Sequence, residues 1–458
     1  MEKSTRKKAR KAGLGKAVPV PVLEYFSFFN LRDTMLYNMP EKKPAGIEKN
    51  LIAEMAKMEI IDCHEHLPPE SVRLAAKVDV FTLFSHYTHW DLLVAGMEEK
   101  NYRNLFNHDI PIEKRWETFK PFWERICWTS YSRAVLITAE KFFGVDDIND
   151  RTYRTISRKI QEANKPGLYE NVIGKTCNIR VSLTQCGRTD LKHKRLIPVM
   201  PMVYEMETWK NLNHPPFEPQ ADIVSLDQYL DACRRYVIRS RSEGAVGLKM
   251  ISTPHKTPDK QAALSAFESL KSGRIKELVP KLEFPGFPRA NPLRDYVVDE
   301  VIRFAGEQNL VVAVHTGYWG DFRQVDPLHM IPLLQRHPEV CFDIYHVGYP
   351  WVREALMLGK GFANAWLNFA WTHIISQCFA MAALDEAIDL IPVNKILGFG
   401  GDYETPVEKI YGHLTMARED IARVLAKRIT GGQMTEKQAL GMAKKWLIDN
   451  PCELYRLS

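Results

Sequence analysis

The stretch EIIDCHEHLPPE, residues 59–70, places His64 and His66 one residue apart at the end of an apolar run. Positions i and i+2 of a strand face the same side, so both imidazoles point one way if a strand runs on from Ile60. Two neutral imidazoles a pleat apart can share a divalent cation. Alone, the pair reads equally as polar residues capping a buried strand. Three further side chains of metal-binding type stand at comparable places: His315 closes LVVAVH, His346 closes CFDIYH, and Asp402 follows ILGFGG. His64, His66 and His315 supply nitrogen donors and Asp402 an anionic oxygen, which suits a Zn²⁺-like ion with one position open for water or substrate. Such an ion brings the pKa of water toward about 7, and Asp402 is also a candidate base. Cys63, between the strand and His64, is expected on the alternate face as a packing residue.

Side chains drawn from residues 64 to 402 meet only if the ends of their elements converge. Eight β-rich runs are legible, at 59–63, 177–185, 195–203, 245–251, 310–315, 341–346, 363–369 and 395–401. Several are nearly continuous apolar runs, as parallel strands covered on both faces require. Helices with start signals lie between them: Ser225 with Gln228 forms a capping box, and Asn291 followed by Pro292 supplies a cap and a first-turn proline. The alternation predicts an α/β fold, a (β/α)8 TIM barrel, whose strand C-termini gather on one face. A large helical insertion is expected after strand 1, at about 68–176, and a second, Pro-rich one at about 252–290; both belong above the strand ends, as lids. The C-terminal helix is expected to start at Thr435, with Gln438 completing its box, and to stop at Asn450-Pro451.

The 458 residues are 45% hydrophobic and 26% charged, an ordinary globular balance. Residues 1–16 hold seven Lys/Arg and one Glu, which accounts for the whole formal charge of +6. Residues 1–22 are therefore expected to be a disordered basic tail on a neutral body, 23–458, rather than a nucleic-acid-binding arm. The tail lacks the apolar core of a secretory signal, so a cytoplasmic protein is expected. The scattered cysteines form no C-x-x-C pair and read as reduced thiols. Residues 361–384 carry no charged side chain, but their Asn, Thr, His, Ser and Gln point to a buried strand and helix, not a membrane span.

With HEH on strand 1, histidines after strands 5 and 6 and an Asp after strand 8, the chain resembles the amidohydrolase superfamily of metal-dependent barrels. The phrases VVAVHTGY, IYHVGYPW, FGGDYETP and NPCELYRL are similar to its amidohydrolase-2 branch, which includes hydrolases and nonoxidative decarboxylases. DCHEHLPPE, SHYTHW, AEKFFGV and CNIRVSLTQC resemble uronate isomerases instead, which also insert helices after strand 1. That family follows its last-strand Asp with Ser-Arg, whereas this chain reads Asp402-Tyr403-Glu404, where an acid would repel a substrate carboxylate.

The resemblance implies one Zn²⁺, with Mn²⁺ or a second metal as alternatives, and a role for His346 in orienting water or moving a proton. It raises the question of Lys249, in GLKMIST, which would be a carboxylated bridge in a two-metal site, a paired interior lysine, or a binder of substrate carboxylate. It also marks His86 as a residue reaching the site from the insertion. Trp319, Asp321 and Arg323, in the loop after His315, are candidate substrate contacts. The expected activity is hydrolysis or decarboxylation of a small polar or carboxylate substrate, with sugar-acid isomerisation as the alternative, in a homo-oligomer without membrane or nucleic-acid partners.

Overall fold

The computed structural model describes residues 46–185, 194–203, 206–278 and 291–457. Eight parallel strands lie side by side in chain order: β1 (Ile60–Glu65), β2 (Ile179–Thr184), β3 (Leu196–Pro201), β4 (Gly247–Ile251), β5 (Val311–His315), β6 (Phe342–Tyr345), β7 (Ala365–Asn368) and β8 (Ile396–Leu397). Beyond β8 the chain returns to β1 through backbone hydrogen bonds from Cys63 N–H to Phe399 O (3.1 Å), Asp402 N–H to His64 O (2.7 Å) and His66 N–H to Tyr403 O (2.9 Å). The sheet thus rolls into a (β/α)8 barrel with its strand C-termini on one face.

All eight expected runs contain strands, most of them shorter than the run, and the largest difference of extent is in the last. The run 395–401 pairs as strand only at Ile396 and Leu397. Past Gly398 the backbone leaves the regular ladder, although the Phe399 and Gly400 carbonyls still accept from Cys63 and Trp371.

Two apolar layers hold the barrel. Ile61, Leu183, Val199, Ala313, Tyr345 and Trp366 meet inside it, with Tyr455 packed among them; a larger layer joins the strands to the surrounding helices. Each fully buried side chain of this size contributes about 1.5–3 kcal/mol. Cys63 belongs to the inner layer too, which corrects the expectation that it faces away from His64. The β1–β2 register shifts between Asp62 and Glu65, so simple alternation fails there and both residues turn inward.

Between β1 and β2 run several helices, among them Ile112–Ile126, Ser130–Phe143 and Tyr153–Ala163. They share an aromatic core of Phe81, Phe84, Trp116, Phe119 and Trp123, with Trp116 stacked on Tyr153 at 4.7 Å. Arg73 ties this segment to the loop after β8, meeting Glu408 Oε1 at 2.9 Å and the Thr405 carbonyl at 3.0 Å.

The helix caps follow the sequence. Ser225 Oγ accepts from Gln228 N–H, Asn291 Oδ1 accepts from Arg294 N–H, and Thr435 and Gln438 close a reciprocal box, each worth about 1 kcal/mol. The expected stop at Asn450-Pro451 is overturned, because helix continues through Asn450–Tyr455. Pro451 sits in the first turn, where a missing N–H costs nothing, and Asn450 Nδ2 donates to the Val393 and Ile396 carbonyls. Within 252–290 a helix spans Lys260–Lys271, capped by Asp259. The tail 1–22, the segment 23–45, Cys186 and residues 279–290 lie outside the described residues. Among the described residues no helix is long and apolar enough to cross a membrane.

Candidate metal centre

His64 and His66 both bring Nε2 to the same carboxylate oxygen, Asp402 Oδ1, at 3.1 and 3.2 Å. His346 approaches the other oxygen, with Nε2 at 3.8 Å from Asp402 Oδ2. His315 completes the group, its Nδ1 lying 3.1 Å from His346 Nε2. All five residues singled out at strand ends therefore stand together at the C-terminal face, although they come from β1 and the loop after it, from β5, and from the loops after β6 and β8.

Two of the five, His346 and Asp402, and three residues near them have backbones held in costly conformations. Among the described residues, His86, His346, Val347, Trp371 and Asp402 all have positive φ, of 67°, 68°, 45°, 66° and 63°. Left-handed backbone at non-glycine residues costs about 1–3 kcal/mol each and persists only where the surroundings over-determine it. For Asp402 those surroundings are explicit. Gly401 N–H donates to Asp62 Oδ1 (3.1 Å), Tyr403 N–H donates to Glu65 Oε2 (2.6 Å), and His413 Nδ1 meets the Gly401 carbonyl (3.2 Å). A Cβ at residue 401 would collide with Glu65 Oε1, so any larger residue there must displace the Glu65 side chain. Burial pushes the Asp62 carboxyl up to about 6 and that of Glu65 well above its ordinary range, so this neighbouring pair retains a proton while it clamps the backbone.

The electrostatics suit a cation. Burial drives the imidazoles of His64 and His315 well below their usual range and that of His346 down to about 4. All three are neutral near pH 7 and offer lone pairs. Burial alone would raise Asp402, but the imidazoles of His64, His66 and His346 outweigh it and hold the carboxyl well below the usual range. Asp402 is the anion in the cluster.

His64 Nδ1 and His315 Nε2 are buried without a hydrogen-bond partner, an arrangement that costs about 1–3 kcal/mol per group unless something else satisfies them. With metal–nitrogen bonds of about 2.0–2.1 Å, two donors on one ion stand roughly 3.0–3.4 Å apart, the spacing seen here. His64, His346 and Asp402 in particular offer ligand atoms all within 4.8 Å of one another. The donor set and its geometry fit a divalent metal ion.

Lys249, on β4, faces the same space. Its Nζ donates to Gln185 Oε1 at 2.6 Å and lies over the Tyr345 ring at 4.5 Å. Burial pulls its amine down to about 7 against the opposing pull of Asp402 and Asp343.

Above the cluster opens a cavity of about 550 Å³, lined by His66, Lys249, His315, His346 and Asp402 together with His86, Trp319 and Glu404. Asp321 and Arg323 pair with each other at 2.7 Å, with Arg323 77% exposed, and neither lines the cavity. Among the lining residues without a sequence signal of their own are Tyr87, Tyr131, Gln185 and Trp371. Tyr87 is the neighbour of His86 in SHYTHW, and its hydroxyl faces Asp402, whose charge adds to burial in keeping that phenol well above its usual range.

Comparison with known proteins agrees with this geometry. The family model described as Amidohydrolase matches residues 222–457. Among curated proteins, protein fluG of Emericella nidulans is 25% identical over 177 residues, which covers 36% of this chain and 20% of that protein; the chain thus spans only a small part of this relative's length. A uronate isomerase of Thermotoga maritima superposes with a TM-score of 0.71 at 15% identity, covering 89% of this chain and 97% of that one. A glucuronate isomerase of Caulobacter crescentus gives 0.70 at 16% identity, over 91% and 95%. A candidate metal-dependent hydrolase of Lactobacillus casei gives 0.60 at 18% identity, over 89% and 97%. At these identities the solved structures share the fold.

Proposed function

Because the chain belongs to the amidohydrolase family, whose metal-dependent chemistry its histidine–aspartate cluster fits, we propose that it hydrolyses or decarboxylates a small substrate bearing a carbonyl or carboxylate, with Zn²⁺ as cofactor. His64, His66 and Asp402 hold the ion, and His315 and His346, 3.1 Å apart, supply the remaining donor between them. The convergence of the His64 and His66 nitrogens on one Asp402 oxygen carries this reading. When bound, the ion supplies Lewis acidity toward a carbonyl, a carboxylate or water.

The chain's own groups then have defined tasks. Asp402 Oδ2, turned away from the two β1 histidines, accepts a proton from water or substrate. His346 Nδ1 donates to the Ala370 carbonyl at 3.0 Å, which fixes its tautomer and leaves Nε2 to receive or return that proton. Lys249 and Tyr87, both lining the cavity, orient the substrate. Trp319 and Trp371 line the same cavity and exclude bulk water from it.

A second reading, isomerisation of a sugar acid, draws support from the fold shared with the uronate and glucuronate isomerases. Glu404 at the cavity wall, and the lack of arginine among the described residues lining it, weigh against a dedicated sugar-carboxylate clamp. The test is metal analysis of the purified protein and of His64→Ala, followed by turnover assays with lactones, aromatic acids and sugar acids. About one equivalent of metal in the parent, its loss in the variant, and turnover of a lactone or aromatic acid are expected. A parent without metal, or turnover confined to sugar acids, would overturn the proposal.

A further inference from the structure

Away from the metal-binding side chains, the cavity is walled by six aromatic residues: Tyr87, Trp90, Tyr131, Tyr318, Trp319 and Trp371. Tyr318 and Trp371, from the loops after β5 and β7, present faces parallel to within 4° with centroids 6.4 Å apart. Several polar groups among these walls are already engaged. Tyr131 OH accepts from Trp371 Nε1 at 3.0 Å, and Gln185 accepts from Lys249 while donating to Tyr345 OH at 3.0 Å. A sugar acid entering here would strip water from several hydroxyls, and each one left unmatched costs about 1–3 kcal/mol. A flat ring would lose only apolar hydration and would gain contact with the aromatic faces. The two other charged groups on the wall are unequal in depth. Lys249 is the middle residue of β4 and partly buried, whereas Glu404 is exposed.

We propose that the cavity takes a flat, unsaturated carboxylate, its ring against Tyr318 and Trp371 and its carboxylate toward Lys249. This rests on the reading of the same cavity as the substrate site, and it selects aromatic or conjugated acids over polyhydroxy acids. Lys249 is then a specificity residue, and the aromatic walls are the substrate's seat.

Calorimetry with three probes, benzoate, its uncharged analogue benzamide, and D-glucuronate, tests this on the protein as purified and after metal removal. Benzoate is expected to bind about tenfold or more tightly than glucuronate in both forms. Lys249→Met should weaken benzoate about tenfold while sparing benzamide. Tyr318→Leu, at an exposed position that tolerates change, should weaken both aromatic probes. Glucuronate binding as tightly as benzoate, or benzoate unaffected by both substitutions, overturns the inference. If metal is present but benzoate fails, the inference falls and the metal-enzyme reading stands. Selective benzoate binding by a protein that never holds metal sinks the enzyme reading instead and leaves the assigned ligand class in place.

Discussion

His315 Nδ1 lies 3.1 Å from His346 Nε2, close enough for one proton or one shared cation between them. His346 has its other nitrogen at the Ala370 carbonyl, 3.0 Å away, so its Nε2 lone pair points into the cluster. If His346 binds the ion directly, His346→Ala should lower metal affinity by far more than the roughly 10–100-fold that groups supporting a ligand contribute. Competition with a chromophoric chelator measures this. A loss within that smaller range would take His346 off the metal and leave it the proton-transfer role.

Asp402 is both the anion of the cluster and the candidate base, and Asp402→Asn separates the two. The amide keeps the shape and the left-handed backbone, for which Asn is well suited. Turnover should fall by about 10²–10⁴, while metal affinity falls much less than in His64→Ala. Comparing kcat with metal occupancy in the same samples decides it: occupancy lost in proportion to kcat would make Asp402 a ligand and nothing more.

The residues of the candidate metal centre were legible because barrel geometry ties strand ends to one face. His64, His315 and His346 each sit at or just past the end of an apolar run, and that rule needs no distances. The walls of the cavity were not legible. Tyr87, in the turn before the helix Thr88–Val94, and Tyr131, in the helix Ser130–Phe143, belong to the segment that joins β1 to β2, and no spacing relates them to residue 402. Trp371 reaches the site through a left-handed turn at φ 66°, a conformation that no propensity assigns to tryptophan. Cys63 shows the limit of strict alternation, since a register shift in β1 turns it inward beside His64. Asp321 and Arg323 read as substrate contacts because they follow His315, yet at two residues' separation they satisfy each other.

The β8 loop depends on close approach as well as on ligands. Gly401→Ala drives a methyl group into Glu65 Oε1, in a region where the neighbouring carboxylates clamp Gly401 and Tyr403. Overpacking of this kind costs about 1–3 kcal/mol and should also loosen metal by displacing Asp402. Gly441→Ala is the opposite case, since it lies in the exposed face of the helix Glu436–Lys444 with nothing within 4 Å of the new methyl. It should add about 0.5–1 kcal/mol. Denaturant unfolding of the two variants should give shifts of opposite sign; a neutral Gly401→Ala would mean that the Glu65 clamp is dispensable.

At the floor of the barrel Asp343 accepts from Tyr455 OH at 2.6 Å and from Asn368 Nδ2 at 2.9 Å. Burial raises its carboxyl from 3.8 to about 7, although both hydrogen bonds and Lys249 pull the other way. The folded protein therefore binds this proton more tightly than the unfolded chain does. Stability from this group is complete below about pH 4 and declines as pH rises through about 7, at up to about 1.4 kcal/mol per unit. Asp343→Asn is neutral throughout and retains an acceptor for Tyr455, so it should gain on the parent by about 2–3 kcal/mol between pH 5 and pH 8. Urea unfolding of both proteins at the two pH values reads the difference directly. A gap that does not widen would mean that Asp343 is already ionised at pH 5, held so by Lys249, and the lysine would then be a charged partner of the barrel floor before any substrate arrives.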